Sequence, residues 1–181
     1  MALNLQLLSQ DDFPAAYELM EKAFPPAELR SYQNHCQILD HPNYRLLGLK
    51  DHDSVTAILG VWEFESFRFV EHFAVSEALR GQGIGNKLLK AYIHQSALPV
   101  VLEVEPPANE TARRRIHFYL RLGCHLNDNY PYVQPPLQNG QASIPLILMS
   151  TPIPLSLQEF STVKRTLYRI IYKVPEDWSG R

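Results

Sequence analysis

The chain has 181 residues, 45% of them hydrophobic and 20% charged, with a formal net charge of −2. That length suits one well-buried core, and that composition excludes a disordered chain. There is no basic excess for nucleic acid and no apolar run near the roughly 18 residues of a membrane span, and two cysteines, Cys36 and Cys124, are too few for a disulfide framework. The opening MALNLQLLSQDD lacks the basic and apolar regions of a secretory signal, so the expected location is the cytoplasm, with neither nucleic acid nor membrane as partner.

In chain order, residues 3–8 (LNLQLL) alternate as a strand, and Ser9, Gln10, Asp11 and Asp12 offer caps to a helix that runs to about residue 23. Pro25 and Pro26 break it. A second helix is predicted over AELRSYQNHCQILD, stopping near His41 and Pro42 because a residue before proline is pushed out of the helical region. Three strand-like runs follow, YRLLGLK, VTAILGVWEF and FRFVEHFAV, the first two joined by the turn-forming DHDS, which predicts an antiparallel meander. Next come the glycine-rich RGQGIG and an amphipathic helix, then the buried strand LPVVLEVEPP. NETARRRIHFYLRLG reads as a helix capped by Asn109 and ended by Gly123. Strands near 125–134 and 143–150 flank the turn signal Asn139-Gly140, with Pro131, Pro135 and Pro136 interrupting the first. A last helix starts at Leu155, and Leu157, Phe160, Val163, Leu167, Ile170 and Ile171 form its apolar stripe, laid on the same domain or on a second copy in a homodimer.

The stretch RGQGIGNKLLKAY places three glycines directly before a helix. A helix N-terminus leaves about four backbone N–H groups unpaired, and glycines remove the side chains that would keep an anion away. The segment is thus either a plain turn or a pyrophosphate cradle. A Walker loop needs Gly-Lys-Ser/Thr where Gly85-Asn86-Lys87 stands, and a dinucleotide fingerprint needs two residues between its last glycines, where this chain has one.

EHFAVSEALRGQGIGNKLL resembles the principal acetyl-CoA motif of the GNAT superfamily of N-acetyltransferases: a strand ending in Ala-Val, a linker, then Gln/Arg-x-x-Gly-x-Gly/Ala leading into a helix, with Arg80, Gly83 and Gly85 at the defining positions. VVLEVEPP is similar to that family's next strand, and RRRIHFYLRLGC to its helix ending Tyr-x-x-x-Gly, matched by Tyr119 and Gly123. The sequence departs at Ala112 and Arg115, where the family often has Asn and Ala, and at Cys124, where an aromatic residue usually follows the glycine. The resemblance implies a mixed α/β (α+β) fold. It has a mostly antiparallel sheet, parallel central strands at about 67–75 and 98–105 that splay apart, flanking helices, a domain over 1–152, and a helical extension over 153–181. Acetyl-CoA, as co-substrate, would lie in the gap. Its pyrophosphate would sit on the amides of Gly81, Gln82, Gly83, Ile84 and Gly85 beside Asn86, with charge from Arg80, and its pantetheine arm would pair with Phe73, Ala74 and Val75.

The implied chemistry is direct acetyl transfer to an amine. A protonated amine must first lose a proton to a base. Glu71 is the first candidate: alternation puts Phe69, Glu71 and Phe73 on one strand face and Val70, His72 and Ala74 on the other, and a carboxylate between two phenylalanines is either functional or ion-paired, for instance with Arg113, Arg114 or Arg115. Glu103 and Glu105 share a face of the neighbouring strand and are rivals. When the tetrahedral intermediate collapses, Tyr119 is placed to protonate the departing CoA thiolate; the alternative is a packed tyrosine. His35-Cys36 and Cys124-His125 lack ligand spacing, so no metal is expected. A non-catalytic acyl-CoA-binding module on the same fold and an unrelated nucleotide-binding enzyme stay open. The acceptor, a small amine, a peptide N-terminus or a lysine, is not named by the fold. The helices near 13–40 and the loop 131–142 would form its wall.

Overall fold

In the computed structural model, which describes residues 4–52 and 54–179, the chain divides into one unit up to Leu98 and another from Pro99 onward. The first is built on the predicted meander. Strands β1 (Gln6–Leu7), β2 (Tyr44–Asp51), β3 (Ser54–Glu63) and β4 (Arg68–Val75) pair antiparallel in that order. The DHDS turn between β2 and β3 includes Asp53, and the first predicted strand begins at Leu3; both residues lie outside the described ones. Helix α1 (Phe13–Ala23) buries Phe13, Ala16, Leu19 and Met20, one helical face. Its Asp12 caps Ser9 rather than the helix, accepting from the Ser9 backbone N–H at 2.8 Å.

The second predicted helix is shorter than its sequence pattern. Residues 26–28 form a single 3₁₀ turn, and α2 (Tyr32–Leu39) starts only after Ser31, whose hydroxyl accepts from the Asn34 amide at 3.3 Å. The cause is long-range: Arg30, in the gap between the two helical pieces, is drawn to Glu71 of β4. Helix α3 (Ile84–His94) buries Leu88, Leu89 and Tyr92. Arg68, 3% exposed, holds the far end of α3 by donating to the carbonyls of Tyr92, Ile93, Ser96 and Leu98 at 2.7–3.1 Å, with its guanidinium 4.8 Å from the Tyr92 ring centre. Helix C-termini leave carbonyls unpaired, so a buried cation there needs no carboxylate.

The pairing of β3 with β4 slips between Gly60, opposite His72, and Val61, opposite Val70. Glu71 is therefore a bulged residue without a partner, and the strict alternation predicted across residues 69–74 fails there. Glu71 and His72 instead share one buried polar cluster. Arg30 Nη1 lies 2.5 Å from Glu71 Oε1, Trp62 Nε1 donates to Oε2 at 2.8 Å, and His72 Nδ1 is 3.8 Å from Oε2. His72 Nε2 donates to the Glu28 carbonyl at 3.0 Å, which fixes its tautomer, and the Tyr17 hydroxyl donates to the Arg30 carbonyl at 2.8 Å. The His35 ring lies 5.7 Å from that of His72 and hydrogen-bonds the Tyr44 hydroxyl at 3.0 Å. The predicted alternative of an ion-paired Glu71 thus has a real partner, but it is Arg30 and not the cluster at 113–115.

In the second unit, β5 (Val100–Val104) pairs antiparallel with β8 (Ile144–Thr151), which also pairs β6 (His125–Leu126) and β7 (Tyr132–Gln134). The predicted strand over 125–134 is thus two short pieces. Helix α4 (Glu110–Arg121) is capped by Asn109, which accepts from the Ala112 amide at 2.8 Å, and closes at Gly123 with φ +82°. It buries Ala112, Ile116 and Tyr119 and turns Arg113, Arg114 and Arg115 to solvent. Helix α5 (Leu157–Thr166) starts with a Ser156/Glu159 capping box and widens into a π-helix over Leu167–Tyr172. The predicted stripe is modified at both ends: Leu157, on the first turn of α5, is 63% exposed, and in the π-helix Tyr168 and Tyr172 join Phe160, Val163, Leu167 and Ile171 inside. Among the described residues no helix is long and apolar enough to cross a membrane, and no group of three His, Cys, Asp or Glu is placed to hold a metal ion.

The buried cluster makes stability depend on pH. Burial, then repulsion from His72 and Arg30, depresses His35 to about 3, and burial depresses His72. Burial raises Glu71, but Arg30, His72 and Trp62 outweigh it and hold the carboxyl below its ordinary value of 4.5. Below about pH 6.5 the unfolded chain therefore takes up protons that the folded histidines refuse, and below about 4.5 it takes one that folded Glu71 refuses. Both terms are fully favourable at neutral pH and are lost on acidification. Urea unfolding is expected to show a loss of about 2 kcal/mol from His35 between pH 7 and pH 5, with His72 adding in the same direction, steepening below 4.5; a flat profile over that range would show that the two histidines are not buried neutral.

Candidate active site

The predicted site residues fall in two groups, one in each unit. In the first, β4 ends at Val75, and Gly81 and Gly83 take left-handed backbones with φ +78° and +74°. Gly83 is the N-cap of α3. A side chain at either glycine would project into open space, whereas a Cβ at Gly85 would stand 3.2 Å from the Phe73 ring and 3.5 Å from Val75 Cγ2. The three glycines therefore serve two purposes. Gly81 and Gly83 shape the turn and leave its outer side bare, and Gly85 also lets α3 seat against the end of β4.

Ile84, Phe73 and Val75 pack on the cluster of Leu49, Ala57 and Leu88, so their side chains anchor the loop from below. Ala74 is buried on the other side of the strand at 6% exposure. The Gln82 amide folds back onto the Ala78 carbonyl at 2.9 Å, and Arg80 donates from Nε to the Val75 carbonyl at 3.2 Å while its Nη1 lies 3.5 Å from Glu77. Neither side chain covers the turn. Among the described residues, no acceptor meets the backbone N–H groups of Gly81, Gln82, Gly83, Ile84 or Gly85, and the first bond of the helix runs from Lys87 N–H to the Gly83 carbonyl at 3.1 Å. Asn86 stands half-buried beside them. A row of free amides at the positive end of a helix, with no side chain in front, fits a pyrophosphate.

Glu71 belongs to the first unit but faces away from such chemistry: its side chain is 4% exposed and both oxygens are engaged by Arg30 and Trp62. In the second unit, the carboxylate of Glu103 on β5 accepts from the Tyr132 hydroxyl and, at 2.8 and 2.9 Å, from the Tyr172 hydroxyl. Burial, then the negative charge of Glu103, drives the Tyr132 phenol well above its ordinary value, so it remains a donor. Glu105 is 38% exposed and pairs with Arg115 at 3.1 Å. Tyr119 is 8% exposed on the last turn of α4, and its carbonyl accepts from the Cys124 amide at 3.1 Å. Burial pushes its phenol up to about 12, against the pull of Arg115. No group among the described residues is hydrogen-bonded to its hydroxyl.

Sequence reasoning missed Arg30 and Tyr172. Tyr168 and Tyr172 fall four residues apart inside an otherwise apolar stripe, and a buried tyrosine there demands a hydroxyl partner; that signal was present. Nothing local marked Arg30.

Residues 11–124 match the family model of the Acetyltransferase (GNAT) family. The chain is 29% identical over 169 residues to a Bacillus subtilis (strain 168) protein named "Putative acetyltransferase YjbC", covering 91% of this chain and 85% of that one. A solved GNAT-family structure from Bacteroides thetaiotaomicron superimposes with a TM-score of 0.86 at 32% identity, covering 94% of this chain and 99% of that one. A GNAT acetyltransferase from Elizabethkingia anophelis, solved with acetyl-CoA bound, shares the fold at a TM-score of 0.57 and 20% identity over 83% of this chain and 97% of its own. The mixed α/β fold, the amide-lined turn before α3 and the family match agree: this chain belongs to the GNAT acetyltransferase family, whose acyl donor is acetyl-CoA.

Proposed function

We propose that this protein transfers the acetyl group of acetyl-CoA to a primary amine, with the amides of Gly81–Gly85 holding the pyrophosphate, Glu103 as general base and Tyr119 as donor to the departing sulfur. The observation that carries the reading is the turn itself, with five unclaimed N–H groups and open space in front of Gly81 and Gly83. When bound, acetyl-CoA supplies an acyl group activated as a thioester, with a thiol as leaving group. Phe73, Ala74 and Val75 offer the strand end beside the turn, and Arg80 holds the turn's shape through the Val75 carbonyl.

Three glutamates were candidates for the base, and their surroundings rank them. Glu71 is held by a full cation, which weakens it as a proton acceptor and ties it to the fold. Glu105 sits at the surface with Arg115. Glu103 accepts hydrogen bonds from the Tyr132 and Tyr172 hydroxyls, neutral donors that orient its carboxylate and favour its charged form, and this favours it as the base. Tyr119 stays protonated through the whole working range, as its raised value requires, and so serves chiefly as a hydrogen-bond donor to sulfur. In this reading residues 1–152 carry the transfer and 153–181 support Glu103. Both cysteines are free thiols, in keeping with a reducing cytoplasm. Screening thiol release from acetyl-CoA with alkylamines, N-terminal peptides and lysine peptides identifies the acceptor class; the absence of release with every amine would favour a non-catalytic acyl-CoA-binding module.

Gly83→Val, folded by circular dichroism, is expected to weaken acetyl-CoA binding at least tenfold by calorimetry, while Gly85→Ala is expected to cost about 1–3 kcal/mol of stability through crowding against Phe73. Unchanged affinity in the Gly83 variant would make the turn merely structural. For the chemistry, Glu103→Gln is expected to remove the acidic limb of the kcat profile, and Glu71→Gln to lower stability while leaving that limb in place. Tyr119→Phe is expected to lower turnover about 10²-fold with parallel profiles up to about pH 10 and little change in acetyl-CoA affinity; turnover within twofold of wild type, with chemistry limiting, would assign the phenol to packing.

A further inference from the structure

Glu103 stands on β5, half-buried, with its carboxylate hydrogen-bonded by phenols from two other segments, Tyr132 on β7 and Tyr172 on the π-helix that continues α5. Tyr172 spans both oxygens with one hydroxyl, at 2.8 Å from Oε1 and 2.9 Å from Oε2, and Tyr132 meets Oε1. The arrangement is itself braced. Tyr168, one helical turn before Tyr172, donates to the Val133 carbonyl at 2.6 Å next to Tyr132, and the Tyr132 and Tyr168 rings lie 6.0 Å apart. Tyr132 and Tyr172 are 3% and 7% exposed, so neither hydroxyl is exchanged freely for water. Both lie outside residues 11–124, the part matched by the family model. The π-helix is what makes the reach: an α-helical continuation of α5 would carry the sixth residue round to a different face.

We infer that Tyr132 and Tyr172 are positioning residues for Glu103, holding its carboxylate ionised and fixed in orientation, and that the C-terminal segment is thereby part of the catalytic apparatus. The inference rests on the reading of Glu103 as base. Partial withdrawal from water favours the neutral form of a carboxylate, and the hydrogen bonds donated by the two phenols favour the charged one. The titratable groups that face Glu103 include Tyr132, Tyr168 and Tyr172, while Glu105, two residues along the strand, is paired with Arg115.

The test uses the full chain with the side-chain carboxyl of Glu103 followed by carbon-13 NMR as pH is varied. Replacing a donor to an ionised group raises its pKa, so Tyr172→Phe is expected to move the Glu103 titration up by about one to two units, with Tyr132→Phe doing the same as a second variant should the first fail to fold. Acetyl-CoA affinity is expected to stay within twofold. The acidic limb of kcat, measured with the acceptor that releases thiol fastest in the amine screen, is expected to move upward by the same amount. A Glu103 titration unmoved in both variants overturns the inference. A titration that moves while the acidic limb stays in place overturns instead the assignment of Glu103 as base, and with it the catalytic part of the inference.

Discussion

The close seat of α3 against the end of β4 is the constraint from which the rest of the candidate site follows. With no side chain at Gly85, the helix begins within van der Waals distance of the Phe73 ring and Val75. Gly83 then caps it from the left-handed region, a conformation that costs an ordinary residue about 1–2 kcal/mol, and the chain turns without placing any side chain before the first amides. Arg68 fixes the opposite end of the same helix through four carbonyls. Held at both ends, α3 cannot slide, and its N-terminal amides stay where an anion can meet them. Pre-organisation of this kind is the main economy available to a site that must bind a flexible, highly charged ligand.

Three carboxylates of similar sequence context do different things because their partners differ. Glu71 sits on a bulge among aromatic rings and is joined to Arg30, so removing either partner strands a buried charge at a cost of about 3–5 kcal/mol. That pair ties the link between α1 and α2 to β4, together with the His72 bond to Glu28 and the Tyr17 bond to Arg30. Glu105, half in water with Arg115, contributes little either way. Glu103, half-buried, accepts from the neutral phenols of Tyr132 and Tyr172.

What the sequence made legible was local. The meander follows from three apolar runs and the turns between them, α4 from Asn109 and Gly123, and the glycine turn from Gly81, Gly83 and Gly85 ahead of an amphipathic stretch, each signal read within a short window. What it hid was long-range. Arg30 and Glu71 are 41 residues apart, and Tyr172 and Glu103 are 69 apart. No periodicity announces such pairs. The bulge at Glu71 was hidden for a related reason: alternation assumes an unbroken ladder, and the slip between Gly60 and Val61 is set by the partner strand. The break between residues 28 and 32 is another case, where the capping preference of Ser31 and the pull on Arg30 outweighed a continuous helical pattern. The second reason for Gly85, its close packing against Phe73, appears only once β4 and α3 are in place.

In the proposed function, the backbone amides of Gly81–Gly85 hold the pyrophosphate of acetyl-CoA. Amide proton–nitrogen NMR of the intact protein addresses it directly. Titration with acetyl-CoA is predicted to shift the resonances of Gly81, Gln82, Gly83, Ile84 and Gly85 together, while pantetheine, which lacks the pyrophosphate, leaves them in place. Resonances that stay fixed under saturating acetyl-CoA would contradict the account.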